Sequence, residues 1–308
     1  MISKTSLTNR SLARVTRTQL PLLFVAALLT AAAASGFAQG EQRGADGRRI
    51  SHKVKPFKIV ANIYYVGGTD MTVFLITTPQ GHILIDSTYE RDVPWIRENI
   101  EELGFTMRDI KILLNSHAHA DHIEAHAMMK ELTGAQVVMS EADGATLAEG
   151  GGIGRDGRPR YKPVKADRFV KTGDTVTLGG VTLTAHIFPG HTRGATTWVM
   201  PFEDGGRRYS FVFFGGLGMN GRLVNNTEWP TLADDFADSL RRAKQLPCEF
   251  FTQGHTEGFG FMDKMERLLK GEQPNPFYAP RECREGLEER ERNFQAELAK
   301  QRAEAGLR

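Results

Sequence analysis

The sequence predicts an α+β fold in which two sheets pack together with helices outside. Two observations carry this prediction. Short β-branched and aromatic runs come in two series, and each series gives way to segments whose apolar residues recur at helical spacing. About 270 of the 308 residues lie beyond an atypical leader, enough for one large domain, and no internal repeat or long low-complexity linker divides them.

After a polar stretch to about Val54, "FKIV", "NIYYVGG", "TVFLITT" and "GHILIDS" follow one another. Turn signals at Ala61-Asn62, Gly67-Gly68 and Pro79-Gln80-Gly81 make them strands of a meander. Val93, Ile96, Ile100 and Leu103 fall on one helical face, with Gly104 just past its end, so a helix is expected from Val93 to Leu103. "DIKILLNS" reads as a buried strand and Asp121 to Leu132 as the next helix. The second series, "TVTLGG", "VTLTAHIFPG", "ATTWVMPF" and "RRYSFVFFGG", occupies roughly 175 to 216. Helices fit Thr231 to Gln245 and Met262 to Gly271, with a short strand in "CEFFTQGH" between them. The tail from 281 is charged, but Cys283, Leu287, Phe294 and Leu298 share one stripe, which describes a C-terminal helix with a solvated face.

Residues 1–38 have the order of a secretory signal peptide. Lys4, Arg10, Arg14 and Arg17 precede the apolar run "LPLLFVAALLTAAAA", and the small residues "SGFA" place the cut after Ala38. That run is shorter than the ~20 residues a membrane span needs. The segment holds four basic and no acidic residues, so without it the 39 Lys and Arg fall to 35 against 37 Asp and Glu, a net charge of −2. A single domain over 39–308, periplasmic or secreted and free of the membrane, is expected, and the electrostatic case for a nucleic-acid partner disappears. An oxidising compartment also lets Cys248 and Cys283 pair. Closing that loop is worth about 4 kcal/mol in the chain-entropy account.

The densest chemistry is "HAHADH", residues 117–122. His117 and His119 are two apart on chain leaving a strand and can project to one side; Asp121 and His122, at a helix start, are aimed elsewhere. Imidazole and carboxylate are what Zn²⁺ accepts, and packing gives no reason for such a cluster. Two metals need about six protein ligands. His191 in "PGHTRG" and His255 in "QGHTEG", each at a strand end and flanked by glycine, supply the remaining two. His52, His82 and His186 need only surface or core roles, whereas His126 lies four residues after His122 on the same helical face and could support the ligands from behind. "GIGRDG", Gly152 to Gly157, spells a dinucleotide fingerprint, but no strand precedes it and no helix follows, so it reads as a mobile loop over the site.

"HAHADH", "PGHTRG" and "QGHTEG", in this order over some 140 residues, resemble the metallo-β-lactamase superfamily. The resemblance runs from about Phe57 to Met265 and implies an αβ/βα four-layer sandwich with a dizinc site at the edge between the sheets. It makes Asp86, ending "ILIDS", a structural aspartate. Thioesterases, lactonases, phosphodiesterases and lactamases share the motif. In the thioesterase and lactonase branches a metal-bridging Asp follows the next strand; here Gly215 and Gly216 stand in its place. That absence is similar to the third subclass of class B β-lactamases, which implies His117, His119 and His191 around one Zn²⁺ and Asp121, His122 and His255 around the other. The same subclass often carries a disulfide whose first Cys precedes the last metal histidine by seven residues, as Cys248 precedes His255, which supports the Cys248–Cys283 pairing. Some members hold the substrate carboxylate with a serine near Gly216; here Asn220, Arg222 or Asn225 could substitute.

The leader predicts export and a monomer is expected; what the resemblance implies is an amide hydrolase acting on small-molecule β-lactams: penicillins, cephalosporins and carbapenems. Two Zn²⁺ turn a water into hydroxide near neutral pH, and Asp121 orients that nucleophile. The alternatives are another hydrolase of this fold, a thioesterase or lactonase, and a zinc-binding protein without turnover.

Overall fold

The computed structural model describes residues 43–45, 47–152 and 157–307. The expected export signal lies outside the described residues, as does most of the glycine-rich "GIGRDG" stretch. One sheet keeps chain order from β1 (Phe57–Val60) through β2 (Ile63–Tyr65), β3 (Phe74–Thr78), β4 (Gly81–Ile85), β5 (Ile110–Leu114) and β6 (Gln136–Ser140) to β7 (Arg168–Val170). Its first four strands pair antiparallel, and from β4 onward the pairs are parallel. The change follows the connections: a parallel return needs a crossover, and α1 (Val93–Glu102) and α3 (His126–Thr133) provide the first two.

In the second sheet β8 (Thr175–Leu178), β9 (Val181–Ile187), β10 (Thr196–Asp204) and β11 (Arg207–Phe214) are antiparallel neighbours. β12 (Phe250–Gln253) then joins β11 in parallel after the crossover helix α5 (Leu232–Ala243). Both sheets bury apolar residues between them, and the two-residue period of β structure decides which ones. Ile83 and Ile85, Ile112 and Leu114 point to the core shared with Trp198, Met200, Phe211 and Phe213. Leu84 and Leu113 point the other way, onto Ile96, Ile100 and Met129 of the covering helices. Strands buried on both faces explain why β4 and β5 read as continuous apolar runs.

A third cluster joins Leu232, Phe236 and Leu240 of α5 to Phe294 and Leu298 of α7 (Pro280–Glu304). The expected stripe Cys283, Leu287, Phe294 and Leu298 is the buried face of α7. Cys248, just ahead of β12, and Cys283 form the disulfide, with Cα atoms 5.9 Å apart, so α7 is tied to the strand that leads to His255. Helix α6 (Phe261–Leu269) adds Phe261 to the central core. Among the described residues no helix is long and apolar enough to cross a membrane.

Two differences from the sequence reading have physical causes. The helix expected from Asp121 to Leu132 is broken into α2 (Ala120–Ile123) and α3. The carbonyl of His122, which a continuous helix would offer to residue 126, instead accepts from Ser87 N at 2.9 Å and Thr88 N at 3.0 Å, while Ala125 N donates to Thr88 O. The second difference is an addition: β6, α4 (Glu141–Ala148) and β7 fill a stretch to which periodicity assigned no element. Ser140 ends β6 and caps α4 through Asp143 N, so strand and helix abut with no turn signal between them.

Candidate metal centre

Each of the six expected ligands follows a strand end. His117 and His119 leave β5, Asp121 and His122 open α2, His191 lies beyond β9, and His255 lies two residues past β12. The fold gathers them into two groups of three, His117, His119 and His191, and Asp121, His122 and His255, with the donor atoms within 4.8 Å of one another. The groups adjoin through His117 and His122, whose ring centroids are 4.1 Å apart.

The donor geometry suits a cation. His117 Nε2 and His119 Nδ1 are 3.1 Å apart, and His122 Nε2 and His255 Nε2 are 3.2 Å apart. Two nitrogens on one tetrahedral Zn²⁺ would sit about 3.4 Å from each other. Asp121 Oδ2 completes the second group at 3.4 Å from His255 Nε2 and 3.7 Å from His122 Nε2. Burial, then neighbouring imidazoles, push His117 well down and His191 to about 3, and burial also lowers His119. Their rings are therefore neutral at pH 7, with lone pairs that only a shared proton or a cation can satisfy. Burial alone would raise Asp121, but His122, His255 and His119 hold it far below the usual carboxylate range. For His255, burial pushes down, yet Asp121 and Asp70 outweigh it and bring the imidazole to about 9, with Arg49 opposing the rise.

Groups behind the candidate donors fix their orientation. Asp86, at φ 64, accepts from Ser116 N at 2.6 Å and Ser116 Oγ at 2.8 Å, and holds His122 Nδ1 at 2.9 Å. His191 Nδ1 faces Gly218 O at 3.2 Å. Both contacts occupy Nδ1 and leave Nε2 for an ion, the usual arrangement behind metal-bound histidine. The second sheet is pinned to the same loop, with Trp198 Nε1 donating to Asn115 O at 2.9 Å and Thr196 N to Ser116 O at 2.8 Å. His126 does not touch the six donors; its Nδ1 pairs with Ser87 Oγ at 2.7 Å, beside Asp86.

Of the three residues considered for substrate binding, Asn220 lies at the site. Its Nδ2 is 3.3 Å from His119 Nε2 and donates to His191 O at 3.3 Å. Arg222 and Asn225 are exposed on the same loop, Asn225 at φ 56, and neither hydrogen-bonds to the six donors. Gly215 and Gly216 are closed positions. A Cβ on Gly215 would lie 2.0 Å from Thr196 O and 2.6 Å from Ser116 O, and one on Gly216, at φ +69, would lie 2.9 Å from His191 Cδ2.

Several neighbours of the site carry no motif. Arg49 Nη1 lies 2.8 Å from His255 Nδ1, and Arg49 also pairs with Asp70 and Glu257. Tyr161 Oη donates to Ala118 O at 3.3 Å, between His117 and His119. Asp143, 2% exposed, accepts from Gly194 N at 3.1 Å and Thr192 Oγ1 at 3.3 Å, gripping the loop after His191. Only tertiary contact brings these residues in, so spacing along the chain gave no signal for them.

Two sheets flanked by helices, with histidine and aspartate donors where their strands end, define a metal-dependent enzyme fold. The chain belongs to the metallo-beta-lactamase superfamily, whose profile matches residues 66–205. It is similar to the native FEZ-1 metallo-beta-lactamase from Legionella gormanii: 37% identity, TM-score 0.79, covering 82% of this chain and 99% of that one. It is also similar to BJP-1, a subclass B3 metallo-beta-lactamase of Bradyrhizobium japonicum, with 37% identity, TM-score 0.76, and 82% and 97% of the two chains covered. Among curated sequences, a hydroxyacylglutathione hydrolase of Hyphomonas neptunium is 31% identical over 48% of this chain and 47% of its own. The human mitochondrial persulfide dioxygenase ETHE1 is 30% identical over 38% of each. The match thus spans half or less of the length of these curated relatives.

Proposed function

We propose that the protein is an exported, dizinc hydrolase of β-lactams. One observation carries the choice among activities of this fold: position 215 has no room for a side chain, so the metal-bridging aspartate of the thioesterase and lactonase branches cannot stand there. The likeness to FEZ-1 and BJP-1 over more than four-fifths of this chain supports the same reading. His117, His119 and His191 would hold one Zn²⁺ and Asp121, His122 and His255 the other; Asp86 and Gly218 O orient two of these rings.

When bound, two such ions supply Lewis acidity and a water acidified to near neutrality. The chain supplies position. Asp121, ionised and one-fifth exposed on its side chain, would orient the attacking water by accepting a hydrogen bond from it. The Asn220 amide, beside His119, donates to a substrate oxygen arriving there. Neither a serine nucleophile nor a separate general base is required.

The test is hydrolysis of a penicillin and a carbapenem by the purified chain loaded with two equivalents of zinc. Loss of the lactam chromophore that EDTA abolishes is expected; an inert chain with both ions bound overturns the reading. A thioester panel run in parallel separates it from the activity named by the hydroxyacylglutathione hydrolase match.

A further inference from the structure

The imidazoles of the centre are backed by different partners. His122 Nδ1 meets the Asp86 carboxylate at 2.9 Å and His191 Nδ1 meets the Gly218 carbonyl at 3.2 Å. Both partners are acceptors, which strengthen a histidine as a ligand. His255 Nδ1 meets instead the Arg49 guanidinium, at 2.8 Å. A guanidinium only donates and is always charged; with an ion on Nε2 the neutral ring keeps its proton on Nδ1, so Arg49 cannot back the ring as an acceptor does and only adds positive charge where a cation must bind.

Arg49 is built into this place. Its side chain is 9% exposed; its Nε is 3.3 Å from Asp70 Oδ2 and its Nη2 is 3.1 Å from Glu257 Oε1. Asp70 Oδ1 itself lies 3.7 Å from His255 Nδ1. The segment carrying Arg49 is stitched to the turn carrying Asp70: Thr69 N donates to His52 O at 2.9 Å and Asp70 N to Ser51 Oγ at 3.2 Å. Among the described residues the ring nitrogens of the first group meet Ser116, one another, Gly218 and Asn220, and no guanidinium stands at hydrogen-bonding distance from them.

We propose that Arg49 is a positioning residue that holds the second group's affinity for its ion below that of the first, so that the two ions load in sequence. This rests on the reading of Asp121, His122 and His255 as ligands of a second ion. Removing the guanidinium leaves Asp70 and Glu257 uncompensated beside His255 and makes the second position more attractive to a cation. Removing the Asp70 carboxylate does the opposite.

Stepwise Co²⁺ titration of the metal-free full chain, followed by absorbance and by competition with a chromophoric chelator, reads both affinities without turnover. In Arg49→Gln the second step is expected to tighten about tenfold with the first unchanged, and Arg49→Lys to keep the wild-type separation. Asp70→Asn is expected to weaken the second step about tenfold, and it decides the matter if Arg49→Gln fails to fold. A merely structural role for Arg49 predicts weakening in Arg49→Gln, so an unchanged or weaker second step overturns the inference. A wild-type chain that binds one equivalent or none overturns the two-ion reading and this inference with it; two equivalents insensitive to both substitutions overturn this inference alone.

Discussion

Asp86 reaches three atoms of the centre's frame from a backbone conformation that L-residues rarely adopt, and it is fully buried while doing so. Asp86→Ala frees both the His122 ring and the Ser116 amide, and a loss of about 10- to 100-fold in metal affinity is expected by chelator competition. Asp121→Asn keeps shape but loses charge; turnover should fall far more than metal content, measured on the same preparation by kinetics and by atomic absorption. Asp143 gives a pH signature. Burial raises its carboxyl to about 7 despite the hydrogen bonds from Thr192 and Gly194. A carboxyl raised on folding contributes its stability in full below about pH 4 and loses it as pH climbs through 7. Asp143→Asn escapes that loss, so it should match wild type near pH 4 and exceed it at pH 8 by on the order of 1 to 4 kcal/mol in denaturant melts. At this scale the two donor groups were legible because four of the six residues crowd into 117–122 and the other two sit in matching glycine-flanked turns. Arg49, Asp70 and Asp143 were not, since each reaches the site only through folding from a segment with unremarkable composition.

Among the elements, the Cys248–Cys283 bridge binds α7 to the strand preceding His255. Cys283→Ser should lower stability by about 2 to 4 kcal/mol, and far-ultraviolet melts with and without reductant should show the same loss in wild type and none in the variant. Strands β1 to β5 and β8 to β12 were readable from β-branched runs and their turns. The break between α2 and α3 was not, because the 86–88 loop, not any local signal, takes the His122 carbonyl. β7 escaped notice for another reason: its three residues carry an exposed Arg168 and a 53% exposed Phe169 at a sheet edge, where burial imposes no pattern.

For the molecule as a whole, the six candidate donors come from segments up to 138 residues apart, from His117 to His255. An ion held by the folded chain alone raises its stability by mass action. Chelation should therefore lower the melting temperature, and added Zn²⁺ should restore it in proportion to the logarithm of its concentration. Two sheets with helices outside could be anticipated from the order of strand and helix signals; pairing order could not, because long-range partners leave no mark on local periodicity. Gly215 shows what such packing implies for descent. The Thr196 and Ser116 carbonyls close on it at 2.0 and 2.6 Å from where a side chain would begin, so one codon change toward aspartate would not recover a bridging carboxylate. Two backbones would have to part first, and a sequence drifting by single substitutions meets there a one-way gate.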